Sequence, residues 1–414
     1  MATLSVAVML TLGAAVGVGA TAGVRTETRA GLIPNGAETT SDPSLDFVLT
    51  PSGSLSLSRG DSAFTASYNV RLLRRFFVDT IDRFILLHNA NVGYGDTFGR
   101  GWRLNASLSG TVGEVDYAGQ TAAATPQAQT GNNPVVQNNG NAVNAPIVPL
   151  LNVSGVMALN GAVGRNHGLG FNVTVNHLRA IGTPVNQGET FSDTLGAGFG
   201  TSYRYTASAR LGFVAGAGVN FTTFNDPDGM GSENFGSGNA SVGVTYQFSA
   251  TSGAGLQLGA LVSDGTGGFL ASPTGTLTYN VNFSNTAALR IDGRAQARVD
   301  GQPNQVTETF DPRFSSIVSV GGTIGSDWTV RIEGQFTTPL PIDPTNAPPM
   351  NEEATTTFIG GAIPITYRIN ETVDASFGVR AQVQGPRLDA ETFTLVSPSI
   401  TGFVAISATV GTGS

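Results

Sequence analysis

Between Leu289 and Gly301 the chain reads LRIDGRAQARVDG, and in strand phase this stretch divides into two faces of opposite character. Leu289, Ile291, Gly293, Ala295, Ala297 and Val299 fall on one side, and Arg290, Asp292, Arg294, Gln296, Arg298 and Asp300 on the other. A helix would gather Arg290, Arg294 and Arg298 into a stripe but would not collect the apolar residues opposite it, and Gly293 at mid-run would cost about 1 kcal/mol relative to alanine. Immediately upstream, Leu277, Tyr279, Val281 and Phe283 alternate with Thr278, Asn280, Asn282 and Ser284. The two runs meet at Ser284-Asn285-Thr286, which reads as the turn of a hairpin.

The same alternation recurs along the chain, with hardly a helix-period segment between. LDFVLTPSGSLSLS and SAFTASYNVRL flank Arg59-Gly60-Asp61, and FILLHNANVGYGDTF and GWRLNASLSGTVG flank a second turn with Phe98 and Trp102 beside it. Further pairs turn about Arg165-Asn166-His167-Gly168, Thr206, Thr251-Ser252-Gly253, Ser326 and Asn370-Glu371, and a last strand spans Ile400 to Val410. A soluble half-buried sheet shows such a pattern once. Its repetition predicts an all-β protein, a transmembrane antiparallel up-and-down β-barrel in which lipid-facing and lumen-facing side chains alternate.

Composition agrees with that fold. Charged residues are only 12% of the chain, about half the usual globular fraction of roughly 25%, while 40% are hydrophobic and 55 are glycine. No apolar run beyond the N-terminus reaches the 18 or so residues of a membrane helix, so strands must carry the apolar surface. The net charge is −8, and no segment concentrates arginine with aromatic residues, which argues against a nucleic-acid partner. Cysteine is absent, removing disulfides, thiolate metal sites and cysteine nucleophiles from consideration.

Domain organisation follows from the edges of the pattern. Residues 1–22 are apolar and end in Ala20-Thr21-Ala22, as a signal peptide with a small-x-small cleavage site would, although no basic residue precedes the apolar core, which leaves a first strand or an anchor as the alternative reading. Residues 23–44 show no period and read as a flexible N-terminal segment, and the barrel is expected over 45–414. Seventeen candidate strands can be marked. Single-chain barrels have even numbers, so about 16 strands are expected, within 14–18. The first candidate, interrupted by Pro51 and Gly53, is the weakest. Short turns alternate with longer connections such as Asn225 to Ser232, Gln302 to Gln305, Pro339 to Glu353 and Pro386 to Thr394. The run from Ala118 to Pro149 is rich in Gln, Asn, Ala and Pro and reads as a long outer loop.

From Leu45 onward, the alternating runs and the final amphipathic strand ITGFVAISATV resemble the porin-like outer-membrane β-barrel proteins of Gram-negative bacteria. The resemblance is one of architecture rather than of motif. It implies residence in the cell outer membrane, contact with lipid and lipopolysaccharide, passage of small solutes or ions, and delivery by the barrel-assembly machinery. Such families usually end in an aromatic residue read by that machinery, whereas this chain ends Val410-Gly411-Thr412-Gly413-Ser414, which leaves either Phe403 as the signal or a trimmed C-terminus.

Little in the sequence points to catalysis. The pairs His177 with Ser154 and His88 with Ser107 are conceivable nucleophile and base, but no third orienting group accompanies them. His167 reads as a turn histidine. The loop from Asn225 to Glu233 contains two Asp and a Glu but departs from calcium-loop spacing at Met230, and Glu352-Glu353 reads as solvated loop charge. No enzyme activity, cofactor or metal is therefore expected. The expected site is a charged lumen lining: Arg71, Arg103, Arg290, Asp292, Arg294, Arg298, Arg331, Glu333, Asp374 and Arg380 all fall in the polar phase of their strands. An arginine facing lipid near midplane would cost about 2–4 kcal/mol, so these residues should point inward. They suit either a pore lining with modest anion preference or an ion-pair ladder that fills a closed barrel. A non-conducting structural or export-partner barrel and a secreted β-rich adhesin remain the other readings.

Overall fold

In the computed structural model the chain forms one antiparallel sheet of 18 strands whose first and last strands pair, closing it into a barrel. The structure describes residues 17–34, 41–76, 84–99, 101–116, 147–181, 193–225, 232–265, 268–286, 289–304, 309–339, 357–385 and 396–412. In chain order the strands are β1 (Gly17–Pro34), β2 (Ser41–Arg59), β3 (Ser62–Phe76), β4 (Phe84–Phe98), β5 (Trp102–Asp116) and β6 (Ile147–Ala162). Next come β7 (His167–Ala180), β8 (Asp193–Thr206), β9 (Leu211–Asn225), β10 (Ser232–Ser249), β11 (Ser252–Gly265) and β12 (Gly268–Asn285). The last six are β13 (Leu289–Asn304), β14 (Thr309–Ile324), β15 (Trp328–Pro339), β16 (Thr357–Arg368), β17 (Val373–Gly385) and β18 (Val396–Thr412). Each strand pairs with its sequence neighbours, so the topology is up-and-down throughout.

All seventeen candidate strands are present, and β1 makes the eighteenth, two more than the expected 16 and at the upper end of the 14–18 range. This corrects the flexible reading of 23–44: Gly17–Pro34 is a strand, paired along its length with β2 and over Ala20 to Leu32 with β18. Residues 1–16 of the expected leader lie outside the described residues, and Gly17 to Ala22 form the start of β1. The strand expected to be weakest is also complete. Pro51 of β2 sits opposite Val24 of β1, while the ladder to β3 skips from Leu49 to Ser52. A residue with no N–H is thus accommodated where one ladder is already interrupted.

Two ends can be told apart by their connections. One end carries the tight turns together with the start of β1 and the end of β18, and there Gly60 (φ 58°) and Gly325 (φ 63°) take left-handed turn conformations. The other end carries the connections that include 117–146, 340–356 and 386–395. The run from Ala118 to Pro146, the loop 226–231 and Glu352-Glu353 lie outside the described residues, whereas Ile147 to Pro149 begin β6.

The outer face is apolar and uncovered. Phe199, Phe221, Val242, Leu258, Leu277, Ile332, Val404 and Val410 are among its exposed side chains. A belt of this extent in water would be an association surface of unusual size, whereas in a bilayer it faces its proper solvent. Strands of 12 to 19 residues exceed the 9–11 or so needed to cross. Tyrosine and tryptophan gather on this face toward the turn end, with Tyr203, Tyr246 and Trp328 exposed and Trp328 packed on Tyr367 at 4.6 Å between centroids. That is the place for amphipathic rings at a membrane interface.

Candidate functional site

The register assigns every expected lining residue to the inward face. On β13, Arg294 lies between Asn280 of β12 and Ser319 of β14, whereas Ala295 lies between Tyr279 and Val318, both exposed outside. Arg290, Asp292 and Arg298 share the phase of Arg294. Arg71 stands beside inward Leu87, and Arg103 between Thr97 and Asn160. Arg331 and Glu333 stand beside Gly321 and Ser319 of β14, and Asp374 and Arg380 beside Ser407 and Thr401 of β18.

These residues do not form one cluster. Arg331 and Glu333 pair along their strand at 3.5 Å, and Asp374 approaches Arg368 at 4.0 Å rather than any of the expected arginines. Arg294 donates to Gln296 at 3.0 Å. The turn end of the β8–β13 wall holds a polar recess of about 530 Å³, lined by Arg204, Gln247, Thr278, Asn280, Asp292 and Arg294 among others. Its floor is glycine: a Cβ on Gly253 would stand 2.7 Å from Gln247 Oε1, and one on Gly255 2.9 Å from Thr278 Oγ1.

A second charged group was not foreseen, because it rests on β1 and on the ends of β2 and β3. Arg25, Glu27 and Arg29 point inward from β1, with Arg380 reaching Glu27 across β18. Asp46 of β2 takes a two-pronged hydrogen bond from Arg75 of β3, at 2.9 Å from Nε and 3.0 Å from Nη2. Asp46 and Arg75 are register partners, as are Arg29 and Asp46, so the group runs continuously over the strands on which the barrel closes. The signal available in the sequence was Arg25-x-Glu27-x-Arg29, three charges in strand phase.

Charge is distributed unevenly around the wall. Among the described side chains, inward charges lie on β13, β15, β16, β17, β1, β2 and β3, a continuous arc with β14 and β18, and otherwise at Arg103 on β5 and Arg204 on β8. Arginine outnumbers acid in this arc. Apart from Arg103 and Arg204, the described inward side chains of the facing wall are uncharged: Asn172, Thr174 and Asn176 of β7 and Asn220 of β9 lie over Gly196, Gly198 and Gly200 of β8. The buried inward side chains gather toward the long-connection end, where Val48, Leu73 and Ile85 form an apolar cluster.

The histidine–serine pairs are taken apart by the same register. Ser154 and Ser109 face inward and share a 2.5 Å hydrogen bond, while His177 lies in the outward phase of β7. His88 is outward, bonded to Tyr68 at 2.6 Å, and Ser107 is inward. His167 bonds Tyr203 at 2.6 Å on the outer face of the turn end. No group of three or more potential metal ligands occurs among the described residues. Phe403 is inward and buried, with the Arg380 guanidinium 4.2 Å from its ring centre.

A closed antiparallel barrel with a lipid-compatible exterior and a polar, charged interior is a transmembrane β-barrel of the outer-membrane type. A solved structure agrees on the fold. The FrpB iron transporter from Neisseria meningitidis is 10% identical, with a TM-score of 0.50 over 97% of this chain and 83% of that one. Pseudomonas aeruginosa OpdQ is 9% identical, with a TM-score of 0.45 over 96% and 99%, and Acinetobacter baumannii OccAB4 is 9% identical, with a TM-score of 0.42 over 95% and 98%. No family model and no curated protein matches the sequence.

Proposed function

We propose that the protein is a non-enzymatic passive channel for small solutes in a Gram-negative outer membrane, placed there by the barrel-assembly machinery, with a modest preference for anions. The observation that carries this reading is the sign of the lining. A chain of net charge −8 turns an arginine-rich arc toward its lumen. Charged rings within a low-dielectric wall bias which ion enters, and salt screens exposed loop charges beyond about 8–10 Å. Arg290, Arg294, Arg298, Arg331 and Arg380 then dominate, with Asp292 and Glu333 moderating them. In a planar bilayer under a salt gradient, the reversal potential should indicate anion preference and move toward zero in the Arg294→Gln, Arg331→Gln double variant. Cation selectivity would reject the lining argument.

A non-conducting barrel is the second reading. It is favoured by the buried inward side chains toward the long-connection end, Leu73, Ile85 and Arg75 among them. Correctly inserted protein without conductance would select it over the channel.

A further inference from the structure

Where the barrel closes, three guanidiniums share one carboxylate. Arg25 Nη2 donates to Glu27 Oε2 at 2.9 Å, Arg380 Nη1 to Glu27 Oε1 at 3.2 Å, and Arg29 Nε also to Oε1. Each arginine commits a single nitrogen to Glu27, although a guanidinium presents five N–H donors in a planar fork. Asp46, the register partner of Arg29, is engaged by Arg75. The side chains of Arg29, Arg380 and Glu27 are 9%, 10% and 5% exposed, while Arg25, at 40%, opens the group toward the lumen. The Arg380 guanidinium carbon lies over the Phe403 ring, 4.2 Å from its centre.

Charges removed from water are normally matched by partners, yet the buried Arg29 and Arg380 share the carboxylate of Glu27 with the half-exposed Arg25, and the further acid that acts on Arg380, Glu333, is itself paired with Arg331. A planar fork of N–H donors is also the geometry that grips an oxyanion. We propose that this cluster is an oxyanion-binding site in the lumen wall, taking the carboxylate or phosphate group of a small solute. Glu27 holds the three guanidiniums in position and does not touch the ligand. Arrival of the solute rests on the channel reading, whereas binding does not.

The test uses the full chain folded in detergent, titrated calorimetrically with inorganic phosphate and, separately, with acetate. Saturable binding of either ion is expected, at least tenfold weaker in Arg29→Gln and Arg380→Gln and unchanged in Arg165→Gln, which lies exposed in the β6–β7 turn. Because loss of a buried arginine can unfold the barrel, heat-modifiable gel mobility is checked, and Arg25→Gln at the open edge serves as the second variant, with weaker binding again expected. No saturable binding by the native chain, or equal binding by all variants, overturns the site. In a bilayer, phosphate should block the native channel in a concentration-dependent way and block Arg25→Gln less. Conduction without block rejects the site and leaves the channel, while phosphate binding by a folded chain that never conducts rejects the channel and leaves the site.

Discussion

Asp46 and Arg75 face each other as direct register partners, and both are almost wholly out of solvent. Taking the carboxylate away leaves a buried guanidinium without its two-pronged acceptor, and breaking such a pair costs about 3–5 kcal/mol. Asp46→Asn should therefore lower the urea midpoint of unfolding in detergent by a readily measured margin. Arg368 offers the contrast: it lies 4.0 Å from Asp374, both are well exposed, and exposed pairs contribute at most about 1 kcal/mol. Arg368→Gln should leave the midpoint nearly unchanged, and equal shifts in the two variants would show that burial does not set the strength of these pairs. Proximity of charges along the sequence could not separate the two cases, since both the partner and the burial are set by neighbouring strands.

At the scale of the strand, side-chain phase was legible wherever bulky apolar residues mark the outer face. β13 shows this best, and Val318 and Tyr279 beside Ala295 are as exposed as its sequence implies. β1 was not legible because Ala20, Ala22, Thr26, Thr28 and Ala30 occupy most of its outward positions, and because its start overlaps an apolar run that suggests a leader. The inward charges Arg25, Glu27 and Arg29 were visible in phase, but their partners sit on β17 and β2, at sequence distances that periodicity cannot bridge. Depth along a strand also had to come from the structure. Ile291 lies one side-chain pair from the turn end of β13, level with Gly322, whereas Ala295 lies well inside. Ala295→Arg should therefore impair insertion by about 2–4 kcal/mol, Ile291→Arg by about 1 kcal/mol or less, and inward Gln296→Arg should be tolerated. Folding yields into lipid vesicles measure this order, and equal tolerance at Ala295 and Gln296 would mean the faces are reversed.

For the whole barrel, orientation in the membrane decides which part of the lumen a solute meets first. The tight turns and the described ends of β1 and β18 share one end, and the longer connections share the other. Outer-membrane barrels keep short turns on the periplasmic side and long loops outside. In that orientation a solute arriving from outside passes the seam cluster of Arg25, Glu27, Arg29 and Arg380 in the more buried half before it reaches the turn-end recess at Arg204 and Arg294. The reverse orientation would present the open, polar recess first. The chain has no cysteine, so a single introduced thiol reports its own side of the membrane without interference. Asn225, exposed at the long-connection end of β9, and Arg165, exposed in the β6–β7 turn, are suitable positions. On intact cells an impermeant maleimide should label Asn225→Cys and leave Arg165→Cys unlabelled until the outer membrane is permeabilised. Labelling of Arg165→Cys alone on intact cells would invert the barrel and, with it, the order in which a solute meets the two charged regions.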